Sequence, residues 1–462
     1  MYPDVLEMRK PYKTPIVKAF PDLKIPEPRI SKRVVLLLRL FTRLYLFLFM
    51  GVAKVVLQGD NYLFDAFKRA MEGKSRCILA FRHPNGGEPQ LLTWFFLFKL
   101  KRLAARKGVR FPQRPHAVFV YGYEEVRWGG WVARFIMPGV GAMPIYYAKL
   151  DSKSMSRIFN TIVEGPYPLA LAPEGKITYS TDTVPKLEPG VIRIGFQAAE
   201  RLAGKDAHCP VEILPLSVHF RFGSWGHLTL EWLMRKTEKT CGIPRKGRKK
   251  LPFAERVRQC SEHILEVNEA RYQIKGDASL PFEKRLEKVV YAALETAERM
   301  VGTKSDGDIL TRMHRVNQVC WDRIYIPGVE DFKDNTQVEQ NIKDLQAGEA
   351  WYAKRHIELV DFAWYFCVPP PAEKATLHEK VEHAQNLWDF ANRTMGGGIK
   401  NRWNIFPRRV ILQAAPAINL SERLPAYKND KKATVAATLT DLEKAYRECI
   451  DVVANVKDFF NK

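Results

Sequence analysis

At 462 residues the chain is longer than a usual single domain, and 46% apolar content is enough for a large core, so two folded units are expected. A net charge of +22 points to anionic partners: nucleic acid, anionic lipid or a phosphorylated ligand. Seven cysteines are scattered without a Cys-x-x-Cys pair or a Cys/His metal spacing, which argues against a disulfide framework or a zinc module and fits free thiols in a reducing compartment.

Residues 1–32 hold six prolines and many charges and read as an extended arm, without the apolar region and cleavage site of a secretory signal. Residues 33–57 are crowded with leucine and aromatic side chains. Their longest uncharged run, 44–53, is 10 residues, well short of the roughly 20 that span a bilayer. Arg39 and Arg43 lie four apart on one helical face. The segment therefore reads as an interfacial helix lying in a membrane surface, its arginines at the headgroups.

Residues 58–235 alternate between short apolar runs and helix-period segments. Strands are expected at 77–81, 116–121, 167–172 and 211–220, and helices at 154–164 and 189–202. Residues 89–114 begin apolar and end basic, with Lys99, Lys101, Arg102, Arg106, Lys107, Arg110 and Arg114 and no acid among them. Trp128, Trp131 and Phe135 form a helical stripe, read as core. Alternation with long connections predicts an α/β domain whose mixed, largely parallel sheet is flanked by helices.

A basic linker, 236–251, separates this unit from 252–462, which reads as mainly helical. Helices are expected at 253–272, 281–301, 308–321, 338–366, 375–394 and 433–460, without an internal repeat. No chemical motif stands out in this half. His378, Glu379, Glu382 and His383 share one helix, but the histidines are five apart, off the spacing of a metal pair, and the group reads as a solvated face. Glycines 396–398 form a loop.

The chemistry-bearing signals lie in the α/β unit. The apolar run 77–81 leads to His83, then Asn85, Gly86, Gly87 and Glu88. A strand that ends near a histidine and then in a glycine-rich turn presents the imidazole at a sheet edge, where the turn can fold Glu88 back onto the ring. That arrangement makes His83 a general base with Glu88 as its orienting partner. A second apolar run, 169–172, ends in Pro173, Glu174, Gly175 and Lys176. Two strand-to-polar-turn signals in one α/β segment point to a shared site at strand ends.

These residues resemble four blocks of the glycerolipid acyltransferase superfamily, the lysophosphatidic acid and glycerol-3-phosphate acyltransferases. His83 to Glu88 resembles its His-x4-Asp block, with Glu for Asp. The run from Gly139 through Gly141 and Pro144 to Tyr147 resembles the second block, with Tyr146 and Tyr147 where arginine is expected. Pro173, Glu174 and Gly175 match the centre of the third. The apolar run around Pro215 matches the fourth. Order and spacing agree over about residues 35–235. The family's phosphate-holding arginines are replaced by Tyr147 and Ile177. Lys149 and Lys176 can supply charge there, though lysine is a point charge and not a fork.

The resemblance implies acyl transfer from acyl-coenzyme A or acyl carrier protein to a hydroxyl of a lysophospholipid or glycerol-phosphate acceptor. His83 and Glu88 would be catalytic. Asn85, Gly86, Gly87, Tyr147, Lys149, Glu174, Gly175 and Lys176 would bind substrate, with backbone amides of 85–87 or Gly175 as oxyanion donors. Metal and prosthetic group are not implied. Membrane lipid and the acyl carrier are the expected partners, and nothing beyond the charge points to nucleic acid. The expected location is the cytoplasmic face of a membrane, peripheral or monotopic. Two alternatives stay open: a neutral-lipid acyltransferase of the diacylglycerol type, or an inactive membrane-bound scaffold on the same fold.

Overall fold

The computed structural model describes residues 17–22, 25, 27–145, 152–204, 209–223, 225–244, 251–366, 375–397 and 407–454. Its first half alternates strands and helices. After the two-residue strand β1 (Phe20–Pro21) come helix α1 (Lys32–Leu48), β2 (Val52–Gln58), α2 (Asp60–Met71) and β3 (Arg76–Phe81). Helix α3 (Glu88–Trp94) runs through a π-helical turn, Phe95–Leu100, into α4 (Lys101–Arg106). Next are β4 (Val118–Gly122), α5 (Tyr123–Gly139, broken at Gly130), β5 (Met143–Ile145), α6 (Ser152–Glu164), β6 (Leu169–Leu171), α7 (Gly190–Ala203), the long β7 (Val211–Phe222) and α8 (Gly226–Thr240).

The second half is built on helices α9 (Phe253–Arg271), α10 (Phe282–Val301), α11 (Ile309–Ile324), α12 (Gln337–Phe366) and α13 (Leu377–Thr394), with β8 (Tyr325–Ile326) paired to β1. Asp308 caps α11 by accepting the Thr311 N–H at 2.8 Å, and Thr376 and Glu379 form a capping box on α13. The chain then returns to the sheet with β9 (Arg408–Ala414) and β10 (Ile418–Asn419), followed by α14 (Leu424–Asn429) and α15 (Lys431–Ala454).

One sheet of eight strands organises the molecule, in the order β2-β9-β7-β3-β6-β4-β5, with β10 on β7. The run from β7 through β3, β6 and β4 to β5 is parallel, while β9 and β10 lie antiparallel to β7. Strand β3 sits in the middle and is apolar on both faces. Cys77, Leu79 and Phe81 pack with Phe64, Phe67, Phe95 and Phe96 on one side. Ile78 and Ala80 pack with Ile158, Phe196 and Tyr446 on the other. A strand buried on both faces reads as a continuous apolar run, which is how β3 appears in the sequence. Helices α8 to α13 close around a separate apolar core. The six described cysteines are unbridged.

Three expectations change here. The interfacial segment expected to reach residue 57 stops being helical at Leu48, and the valine-rich Val52–Gln58 joins the sheet as β2; β-branched side chains favour the pleated surface. The region expected to be mainly helical also supplies β9, which lies between β2 and β7. The stripe read as core is exposed where it is described: Trp131 is 79% and Phe135 56% accessible.

Candidate functional site

Parallel strands β3 and β6 leave the sheet side by side, and the segments that follow them build the site. Strand β3 ends at Phe81, and Arg82 turns inward, fully buried. Its Nε donates to Glu174 Oε1 at 3.1 Å, and its terminal nitrogens donate to the carbonyls of Thr181 at 2.7 Å, Ser180 at 3.2 Å and Thr183 at 2.6 Å. Glu174, just after β6, accepts the His83 backbone N–H on its other oxygen at 2.5 Å. The Thr178 N–H donates to the His83 carbonyl at 3.0 Å. The backbone at His83 is thus held from both sides by the turn after β6.

The imidazole itself meets Glu88. Nδ1 and Glu88 Oε2 lie 2.6 Å apart, and the Gly86 N–H donates to the same oxygen at 2.8 Å. Gly86 has φ +94, a left-handed conformation that L side chains avoid, and a Cβ there would lie 2.9 Å from Ile177 Cδ1. This turn folds the carboxylate back under the ring. Glu88 is fully buried, and its Oε1 is enclosed without a hydrogen-bond partner among the described residues. Burial works to lower the His83 pKa, but the hydrogen bond and charge of Glu88, with Glu125 and Glu174 behind, outweigh it and raise the pKa above the ordinary histidine value. The ring keeps a small opening to solvent, with 12% of the side chain accessible. With Nδ1 occupied by the carboxylate, Nε2 is the nitrogen that can take a proton from a hydroxyl.

The other expected site residues are divided. Glu174 is buried and backs the His83 strand instead of facing an acceptor; burial pushes its carboxyl up against the opposing pull of Arg82. Lys176 forms an ion pair with Asp361 of α12, and burial, against the pull of Asp361, lowers its pKa. Gly175 has φ +68 and its N–H donates to the Ala172 carbonyl at 3.1 Å; a Cβ there would meet Glu188 Oε1 at 2.8 Å. Asn85 Oδ1 accepts from Arg408 at 3.3 Å, and the Gly87 carbonyl accepts the Leu91 N–H at 3.1 Å. The Gly86 and Gly175 amides, expected as oxyanion donors, both point to acceptors within the protein. Tyr147 and Lys149 lie outside the described residues.

Residues remote in sequence complete the setting. Arg408 at the start of β9 is buried, donates to the Met50 carbonyl at 2.5 Å and lies over the Phe220 ring at 4.6 Å. Tyr446 of α15 donates to the Ala80 carbonyl at 2.9 Å. Behind the Arg82 carbonyls sits a buried charged cluster. Asp182 lies 3.1 Å from His219 Nδ1 and 2.9 Å from Arg221. Burial raises the Asp182 carboxyl, but His219 and Arg221 together bring it down to about 2, while burial lowers His219 to about 4 and keeps it neutral. Glu382 of α13 accepts the Thr181 N–H at 2.9 Å, and burial with nearby Asp182 pushes its carboxyl up to about 7. The group read as a solvated face is thus only partly so: Glu379 is exposed, but Glu382 meets the site's loop, His378 Nδ1 accepts the N–H of Phe222 at the end of β7 at 3.0 Å, and burial holds His383 at about 4. The only local hint of this arrangement is Arg82, a charge placed directly at the end of an apolar strand.

No protein-family model matches the chain, and no curated protein matches it. Among the described residues, no helix is long and apolar enough to cross a membrane, and no cluster of three or more His, Cys, Asp or Glu side chains could hold a metal ion.

Proposed function

We propose that the protein is an O-acyltransferase that moves a fatty acyl group from acyl-coenzyme A or acyl carrier protein to a lipid hydroxyl. The observation that carries this reading is the His83–Glu88 pair, 2.6 Å apart just past the C-terminal end of the central strand β3. His83 Nε2 removes the hydroxyl proton, and the alkoxide oxygen attacks the thioester carbonyl. The tetrahedral intermediate collapses as the C–S bond breaks, and the imidazolium returns the proton to the departing thiolate. Glu88 holds the tautomer and stabilises the imidazolium, as the carboxylate of a serine-hydrolase triad does. A thioester is already activated, so no acyl-enzyme is needed.

The N-terminal helix supports a membrane substrate. Along α1, Leu36, Leu40, Phe41, Leu44, Leu48 and Phe49 are exposed, and Trp131 and Phe135 of α5 add aromatic surface. Exposed apolar residues at this density mark an interaction surface, and an amphipathic helix of this kind seats in the headgroup boundary of a membrane. Arg43 is exposed and also donates to the Val52 carbonyl at 2.7 Å and to the Ala53 carbonyl at 2.6 Å, bracing α1 on β2.

A lysophospholipid or glycerol-phosphate acceptor is the first choice by resemblance. One observation favours a neutral-lipid acceptor: Lys176, one of the two lysines available for a phosphate, is paired with Asp361. Labelled acyl-coenzyme A offered with glycerol-3-phosphate, lysophosphatidic acid, other lysophospholipids and diacylglycerol distinguishes them. Transfer by the wild type that disappears in His83→Ala supports the reading, and the acceptor used identifies the branch. Silence with every acceptor, with acyl carrier protein donors as well, would replace it with an inactive scaffold.

A further inference from the structure

The helical region carries a cavity of about 250 Å³ where α9, α12 and α13 meet. Arg271, Arg355 and Arg393 line it, and among the described residues no carboxylate does. The three guanidiniums converge on the end of α13. Arg271 donates to the Thr394 carbonyl, while Arg355 and Arg393 both donate to the Gly397 carbonyl, at 2.7 Å and 3.1 Å. Carbonyls at a helix end carry only partial negative charge. The full charge among these partners is Glu358, 3.2 Å from Arg355 and 2.9 Å from Arg393. Burial pushes that carboxyl up to about 7, against the pull of Arg355 and Lys354. Three guanidiniums are thus served by one carboxylate among these partners. Burial, opposed by Tyr272 and reinforced by Arg355, holds the Arg271 guanidinium below its ordinary value. An anion in the cavity would relieve this excess.

The remaining walls are aromatic. Trp351 and Tyr352 meet edge to face with ring centroids 5.1 Å apart, and Arg355 lies over the Trp351 ring at 5.6 Å. One turn further along α12, His356 Nδ1 lies 2.7 Å from Tyr272 Oη. Burial holds His356 at about 4 and the Tyr272 phenol at about 12, so this pair is neutral. Guanidinium clusters recognise phosphate through forked hydrogen bonds, and aromatic faces recognise planar rings by stacking. The volume falls just under the range of about 300–1,000 Å³ typical of drug-sized ligands, so the cavity suits a compact polar ligand better than a fatty acyl chain.

We infer that this cavity is a binding site for a phosphorylated ligand with a planar ring, of mononucleotide size. Its phosphate is held by Arg271, Arg355 and Arg393, and its ring lies against Trp351 and Tyr352. The site is independent of the chemistry at His83 and stands or falls separately from it. A free mononucleotide and the nucleotide end of a larger carrier such as coenzyme A share this chemistry.

Isothermal titration of the full chain with adenosine monophosphate, inorganic phosphate, adenosine and coenzyme A tests it. The expected result is that adenosine monophosphate binds at least about tenfold more tightly than phosphate or adenosine, a gap of about 1.4 kcal/mol. Arg355→Gln should weaken it by a similar factor, with folding checked by thermal unfolding. Tyr352 is 47% exposed, so Tyr352→Ala should unfold at the wild-type midpoint; it should weaken the nucleotide severalfold and leave phosphate binding unchanged. Displacement of the nucleotide by coenzyme A supports the site with a larger carrier as its ligand, and failure to displace supports it with a free nucleotide. The inference is overturned if adenosine monophosphate does not bind, binds no better than phosphate, or binds Tyr352→Ala as it binds the wild type.

Discussion

Two carboxylates meet His83 in different ways, and their substitutions should separate chemistry from stability. Glu88 reaches the ring and is the larger of the forces that raise its pKa against burial. The neutral imidazole is the base, so kcat/KM should rise with pH through an inflection above the ordinary histidine value of about 6.5. Glu88→Gln removes the charge, moves that inflection down and lowers kcat by about 10²–10⁴-fold, measured as a pH–rate profile of both proteins. For stability the sign is opposite. A raised folded-state pKa stabilises the protein fully below the unfolded value and loses that contribution as pH rises through the folded one. Glu174 instead reaches the backbone and the buried Arg82. Glu174→Gln leaves that guanidinium without its counter-charge, and breaking a buried pair in this way costs about 3–5 kcal/mol. Urea unfolding should show a loss of that order; an unchanged midpoint would remove Glu174 from the framework.

At the level of the element, α1 is the helix whose face disagrees most with a water-surrounded surface. Leu40 is 65% and Leu44 54% exposed, while Val34, Thr42 and Leu46 on the other side are buried. Burying one leucine contributes about 1.5–3 kcal/mol. The double change Leu40→Glu and Leu44→Glu should therefore lower partition onto anionic vesicles by about 10²-fold or more, with the thermal unfolding midpoint unchanged. Equal pelleting by wild type and variant would assign the exposed face to another partner. The 3.6-residue period of this helix was legible in sequence. The Arg43 contacts with Val52 and Ala53 were not, because they depend on where β2 lies beneath the helix.

For the whole molecule, the two halves are not independent. Strand β9, from the second half, lies between β2 and β7, and Arg408, Tyr446, Asp361 and Glu382 all reach the segments around His83. A fragment ending at residue 251 would leave an open edge on β7 and remove the partner of β2. Such a fragment should lack a cooperative thermal transition by circular dichroism, whereas the full chain should show one. A stable, soluble fragment with native-like unfolding would mean that the first half folds alone.

The sequence by itself determined the alternating strands and helices of the α/β unit, most helices of the second half, and the strand-to-turn placement of His83 and Glu88. These depend on hydrophobic period and on residues within a few positions of one another, so local pattern carries them. Tertiary structure alone decided that Glu174 is buried behind His83, that Lys176 pairs with Asp361 and that Glu382 of α13 packs on the loop after β6. It also decided that a strand near the end of the chain completes a sheet begun near its start. Those relations join residues separated by 90 to more than 350 positions, and such pairings follow from how the layers pack, which no local period encodes.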